Sequence, residues 1–205
     1  MNKRGRPRNF CRDQALSAAM RLFWEKGYEG ASLAELATVM GINAPSLYAA
    51  FGDKESLFRE AVAHYSSGIG ATPLNALQEH AQVVSAIRAM LSASAEMCTD
   101  SETPRGCLVV LSAINCTPEH TVLRDELSSR RKIIRVAIEE RLTRAKMEGE
   151  LSCEVEVTTL SEFYTVILNG LSLRARDGAT RDELMATIEH AMVAIETCIK
   201  AMENR

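Results

Sequence analysis

At 205 residues, with 46% hydrophobic but only 5% aromatic side chains and Leu, Ala, Met, Glu and Arg abundant, the chain predicts an all-α protein, as one large domain or as about 60 residues followed by a larger unit. No run approaches the roughly 20 apolar residues of a membrane span, and the basic start is not followed by the apolar stretch of a secretion signal, so a cytoplasmic protein without membrane contact is expected. The net charge of −3 would speak against a nucleic-acid partner, but residues 1–60 carry nine basic against seven acidic groups and the remaining 145 carry 15 against 20, which puts a basic end on an acidic body.

The first twelve residues hold Lys3, Arg4, Arg6, Arg8 and Arg12 and no acid, a basic arm over 1–10. Leu16, Ala19, Met20 and Phe23 then recur at helical spacing and Gly27 follows as a stop, which predicts a helix over 12–26. Ser32 and Glu35 form a capping-box pattern ahead of Leu33, Leu36, Ala37 and Met40, and Gly41 ends that second helix. A helix of barely two turns is expected over 44–51, with Asn43 as N-cap and Pro45 in the first turn, where its missing N–H costs little. Asp53 caps a fourth helix that buries Leu57, Phe58, Ala61, Val62 and Tyr65. Gly68, Gly70 and Pro73 mark a break, so a small domain over 11–66 and a larger one over 67–205 are expected. Further helices are predicted over 74–97, 106–114, 119–148, 155–176 and 181–203.

The pair of short helices around Gly41 is the most informative feature. Ala37 lets the second helix of the pair approach closely, Gly41 can adopt the left-handed turn conformation, and Leu47 and Phe51 anchor inward. The other face, with Ala44, Ser46, Tyr48 and Ala49, is left free on a helix small enough for a major groove about 12 Å wide. The segment from Gly41-Ile42-Asn43-Ala44-Pro45-Ser46-Leu47-Tyr48 to Phe51-Gly52-Asp53-Lys54-Glu55-Ser56-Leu57-Phe58 resembles the recognition-helix signature of the TetR/AcrR family. The approach through Leu22-Phe23, Gly27-Tyr28 and Ala31-Ser32-Leu33-Ala34-Glu35-Leu36-Ala37 does so too, and the likeness covers residues 10–62. It implies an N-terminal three-helix helix-turn-helix DNA-binding domain plus a C-terminal helical ligand-binding and dimerisation domain. It also implies a homodimeric regulator, a repressor, released from double-stranded palindromic operator DNA by a small-molecule effector or by thiol modification.

By that resemblance Tyr48 and Lys54 contact phosphates, residues 44–49, including Pro45, face the bases, and Ser32 joins the DNA-binding set. Relatives often carry His where this chain has Ala50, so this grip leans more on its arm. Arg4-Gly5-Arg6-Pro7-Arg8 is similar to the AT-hook core, in which Arg lies in a narrow minor groove. A basic tail adding only non-specific attraction is the equal alternative. Two copies are needed to read enough bases, with half-sites about one helical turn, ~34 Å, or a multiple apart. The interface is expected from Met185, Ile188, Met192, Ile195 and Ile199 of the last helix, whose spacing alternates three and four, with Leu160, Ile167 and Leu171 before it.

Pro104-Arg105-Gly106-Cys107-Leu108 resembles a Gly-Cys-Leu segment of one subgroup of the family, where it starts a helix beside the ligand cavity. Cys107 at a helix N-terminus is expected to ionise readily; the alternative is a small buried thiol beside a cavity for an apolar ligand. Candidate lining is Met90, Met97, Leu111, Ile134, Ile138, Phe163 and Tyr164, with methionines supplying adaptable walls. The six cysteines show no CxxC or zinc-finger spacing and the four histidines are isolated, so neither metal nor cofactor is expected. No P-loop, glycine fingerprint, GxSxG or HExxH motif marks an enzyme. The rival class is a helical protein-interaction adaptor without DNA binding, against which the basic arm, Tyr48 and Lys54 count.

Overall fold

In the computed structural model, which describes residues 11–203 and side chains through residue 199, ten α-helices and two 3-10 turns succeed one another, with no strand among the described residues. They are α1 (Arg12–Gly30), α2 (Leu33–Val39), α3 (Ala44–Phe51), α4 (Lys54–Ser67), α5 (Thr72–Glu79), α6 (Val83–Thr99), α7 (Leu108–Leu111), α8 (Thr121–Met147), α9 (Val157–Arg176) and α10 (Arg181–Glu203). Arg4, Arg6 and Arg8 lie outside the described residues, and no described helix is long and apolar enough to cross a membrane.

Helices α1 to α4 form a head around aromatic contacts. Phe23 meets Phe58 edge-on at 5.0 Å between ring centroids, and Tyr28 meets Phe58 at 5.1 Å. The head's N-caps are those expected: Ser32 with Glu35, Asn43 and Asp53 each accept a backbone N–H at the start of α2, α3 and α4. One detail differs. Helix α1 does not stop at Gly27 but kinks there, at φ 73° and ψ 175°, and resumes to Gly30. The kink turns the Tyr28 amide out of the helix ladder and onto the Ser112 carbonyl at 2.7 Å.

The body packs α5, α8, α9 and α10 around α6. The single helix expected over 74–97 is two, broken at 80–82. The cause is distant in sequence. The Arg141 side chain, wholly buried, donates to the Ala81 carbonyl at 2.6 Å, while Glu150 accepts the Val83 amide at 2.5 Å and so caps α6. That pair satisfies two backbone groups at the break, the Ala81 carbonyl and the Val83 amide, and so holds it open. The helix expected over 106–114 shortens to the single turn of α7.

Candidate functional site

On the head, α3 shows one clean division. Leu47 and Phe51 are buried, whereas Ala44, Pro45, Tyr48 and Ala49 are exposed, Tyr48 by 49%. Ser46 is half-buried, its amide donating to Asn43 Oδ1 at 2.9 Å. At the far end Arg12 clamps the helix: its guanidinium donates to the Ala50 carbonyl at 3.3 Å, pairs with Glu60 at 2.7 Å and lies 4.4 Å over the Phe51 ring. The result is a short helix fixed at both ends with small groups and one phenol outward.

Two of the residues expected to meet DNA are otherwise engaged. The Ser32 hydroxyl donates to Glu35 at 2.7 Å and accepts the Glu35 amide, so it serves the cap of α2. Lys26 Nζ approaches the same carboxylate at 2.5 Å, and that hydrogen bond, followed by those from Ser32, holds Glu35 down at about 2. The Lys54 ammonium lies 4.3 Å over the Tyr28 ring, where partial burial pulls its pKa below the usual lysine value. A cation stacked on an aromatic face is partly desolvated already, so Lys54 would have to leave that ring to reach a phosphate.

In the body, a cavity of about 40 Å³ lies between the start of α5 and helices α6, α7, α8 and α9. It brings together Met90, Met97, Cys107 and Ile134 of the expected lining. Leu111, Ile138, Phe163 and Tyr164 are elsewhere. Ile138 is wholly buried in the core; Tyr164 is buried too, with its hydroxyl donating to the Ala191 carbonyl on α10 at 3.2 Å; Phe163 faces outward; and Leu111 packs over Gly106. The sequence reading missed the polar lining, Ser94, Arg131, Thr165 and Asn169. A signal for Arg131 was present: Leu123, Leu127, Ile134 and Ile138 continue one apolar stripe of α8, and Arg131 occupies a slot in it.

Cys107 does line the cavity, but the expected easy ionisation is corrected. Burial pushes its thiol above the ordinary cysteine value, against the weaker pull of the Tyr65 hydroxyl 3.3 Å away. The single turn of α7 offers too little dipole to offset desolvation. Cys98, also buried, is pushed up to about 12 for the same reason.

Two of the joints between head and body lie near the cavity. From α4, Arg59 pairs with Glu126 of α8 at 2.9 Å, and Tyr65 places its hydroxyl among Cys107 and Met97 at the cavity. The second tie runs from α1 to the segment around α7. Trp24 Nε1 donates to the Gly106 carbonyl at 2.9 Å, and the Arg176 guanidinium bridges the Trp24, Glu25 and Arg105 carbonyls at 2.7–2.8 Å. The second joint uses main-chain carbonyls, which no residue pattern announces.

The apolar row of α10 expected to meet a second copy is spent inside the chain. Ile188, Met192 and Ile195 are fully buried, Leu160 and Leu171 of α9 nearly so, and Ile167, Met185 and Ile199 are half-buried against the same core. The reason is that α6 already lies along that row; a three–four spacing marks a close parallel neighbour without saying whose it is. What remains outward on these helices is Phe163 (38% exposed), Val166 (60%) and Leu173 (52%) on α9 and Val193 (55%) on α10. Gly170 sits within the α9 row with open space above its Cα.

Residues 15–61 match the family described as bacterial regulatory proteins, tetR family, and residues 83–190 match the tetracyclin repressor-like C-terminal domain. The chain is 37% identical over 183 residues to the HTH-type transcriptional repressor ComR of Escherichia coli (strain K12), covering 89% of this chain and 87% of that one. It is 32% identical over 197 residues to the repressor BdcR of the same organism, covering 96% and 94%. Among solved structures it is similar to the TetR family transcriptional regulator CifR with cysteine substitutions, in complex with a 26-base-pair double-strand operator DNA. That likeness is 44% identical with a TM-score of 0.89, over 92% of this chain and 99% of that one.

Proposed function

The chain belongs to the TetR family of bacterial regulatory proteins, and from that premise we propose that it is a DNA-binding transcriptional repressor that inserts α3 of each of two copies into successive major grooves of an operator. The observation that carries this is the division of α3: its inner side is anchored by Leu47 and Phe51 while Ala44, Pro45, Tyr48 and Ala49 stand free. Small groups let the helix approach base edges and the Tyr48 hydroxyl can reach a phosphate oxygen. CifR, a TetR family regulator, is complexed with operator DNA in its solved structure, and an enzymatic or adaptor role gains no support from any feature of the head.

The unit over 11–66 acts as the reader and that over 67–205 as the sensor and pairing unit. Pairing uses the outward α9 row of Phe163, Val166 and Leu173 with Val193. Occupation of the cavity between α6 and α9 shifts α4 and α7 and thereby the spacing of the two α3 helices. Because burial opposes a Cys107 thiolate, non-covalent capture of a small molecule is the better reading of release than thiol modification.

Selection of bound genomic fragments by the purified protein tests the reading. It should enrich a palindrome with half-sites about one turn of B-DNA or a multiple apart, with affinity falling linearly in log salt. Tyr48→Ala should weaken binding by about 1.5 kcal/mol, roughly tenfold, on every enriched sequence alike, as expected for a phosphate contact. No palindrome, or full affinity in Tyr48→Ala, would remove α3 from the interface.

A further inference from the structure

We propose that the body's cavity takes a small organic anion, a short-chain monocarboxylate whose charge meets Arg131 and Asn169 and whose apolar part lies among Met90, Met97 and Ile134. This rests on the reading of that cavity as the effector site and names its ligand class. Arg131 is the only charged side chain in the lining. It is half-buried and makes no ion pair among the described residues; its one hydrogen bond is from Nη1 to the Val109 carbonyl at 2.9 Å.

Several other half-buried or buried arginines are compensated, and Arg105 and Arg130, which like Arg131 make no ion pair among the described residues, do not line this cavity. Arg59 is paired with Glu126, Arg135 with Glu139 and Arg141 with Glu150, and Arg176 is spread over three carbonyls. A guanidinium has five N–H donors in a planar fork that matches a carboxylate, so Arg131 offers an under-used fork to the cavity. The Asn169 amide, which also lines it, has no hydrogen-bond partner among the described residues. An unpaired charge away from water is costly unless something compensates it, and an entering anion would supply that compensation.

Size and composition narrow the class. A cavity of about 40 Å³ has room for about three water-sized groups, and flexible methionines can yield to admit a few more atoms. A single Arg matches a single negative charge, whereas a phosphate dianion would leave a second charge uncompensated. Binding also has a direct consequence for the head. A carboxylate drawing Arg131 away from the Val109 carbonyl loosens α7, and the Ser112 carbonyl that follows α7 is what holds the Tyr28 amide of α1.

The test titrates acetate, propanoate and butanoate, and the matching amides and alcohols, into the full-length dimer. Calorimetry and melting temperature are read without DNA, and release of the selected operator is read by fluorescence anisotropy. The acids should raise the melting temperature and release DNA, and the neutral analogues should do neither. Arg131→Gln should weaken acid binding, read by calorimetry without DNA, by about tenfold or more, the worth of a charge-assisted hydrogen-bonded pair; Asn169→Leu, which keeps the charge, should weaken it less. Equal binding of the amides, unchanged affinity in both variants, or no binding of any acid at millimolar concentration would overturn the anion site. Arg131-dependent binding that leaves operator affinity untouched would uphold the anion site and overturn the effector reading.

Discussion

Two glycines do different work in the head. Gly41 turns the chain between α2 and α3 at φ +66°, with open space where a Cβ would stand. Gly27 combines φ 73° with ψ 175°, a region that is essentially glycine's alone, and a Cβ there would come within 3.0 Å of the Ser112 carbonyl oxygen. Gly41→Ala should therefore cost about 1 kcal/mol, the left-handed penalty by itself. Gly27→Ala should cost about 3 kcal/mol, because conformational strain and a backbone clash add. It should also weaken operator binding by displacing the Tyr28 amide from Ser112. Urea unfolding of the two variants side by side measures the difference; equal losses would mean that the α1–α7 joint carries no strain-sensitive contact.

At the level of whole helices, the break between α5 and α6 is governed by two residues more than 50 positions downstream. Arg141 satisfies the Ala81 carbonyl and faces Glu150, which caps Val83. Arg141→Met would leave the carbonyl and the carboxylate without the guanidinium, and breaking a buried pair from one side costs about 3 kcal/mol. Thermal unfolding should register that loss, and amide exchange should rise first at residues 80–84; protection there equal to the parent's would show that the break holds without the pair. This device also marks the limit of what the residue pattern discloses. Caps are local, so Ser32, Asn43 and Asp53 announce the starts of α2, α3 and α4 by themselves, and the outward face of α3 follows from its anchors Leu47 and Phe51. A helix break with no Gly or Pro, satisfied from a remote arginine, carries no local signal, and His80-Ala81-Gln82 reads as continuous helix. The same holds for the cavity. Met90, Met97, Cys107 and Ile134 are recognisable as apolar-face residues, but which of many such residues border a void is settled by packing; Phe163 and Tyr164, adjacent in sequence with rings in contact at 5.2 Å, both miss it, one outward and one buried.

For the molecule as a pair of copies, the decisive question is which apolar row binds the second copy. Periodicity nominates the Met185-to-Ile199 row, yet its central members are wholly covered by α6, so they are unavailable to a partner. The row left over, Phe163, Val166, Gly170 and Leu173 at successive turns of α9, is more than scattered surface apolar residues, and Gly170 permits close approach of another helix. The two rows predict opposite behaviour for two substitutions. Val166→Glu puts a charge on an exposed position and should leave the fold's helical signal and melting of the single chain intact, but shift the protein to monomer at micromolar concentration in light scattering and abolish operator binding with it. Met192→Ala removes a side chain buried within the chain and should cost about 2–5 kcal/mol of folding stability, with the surviving folded protein still dimeric. If Met192→Ala instead dissociated the dimer while Val166→Glu left it whole, the pairing surface would have to be moved back to the inner row, which could happen only if α10 parted from α6 when the copies met.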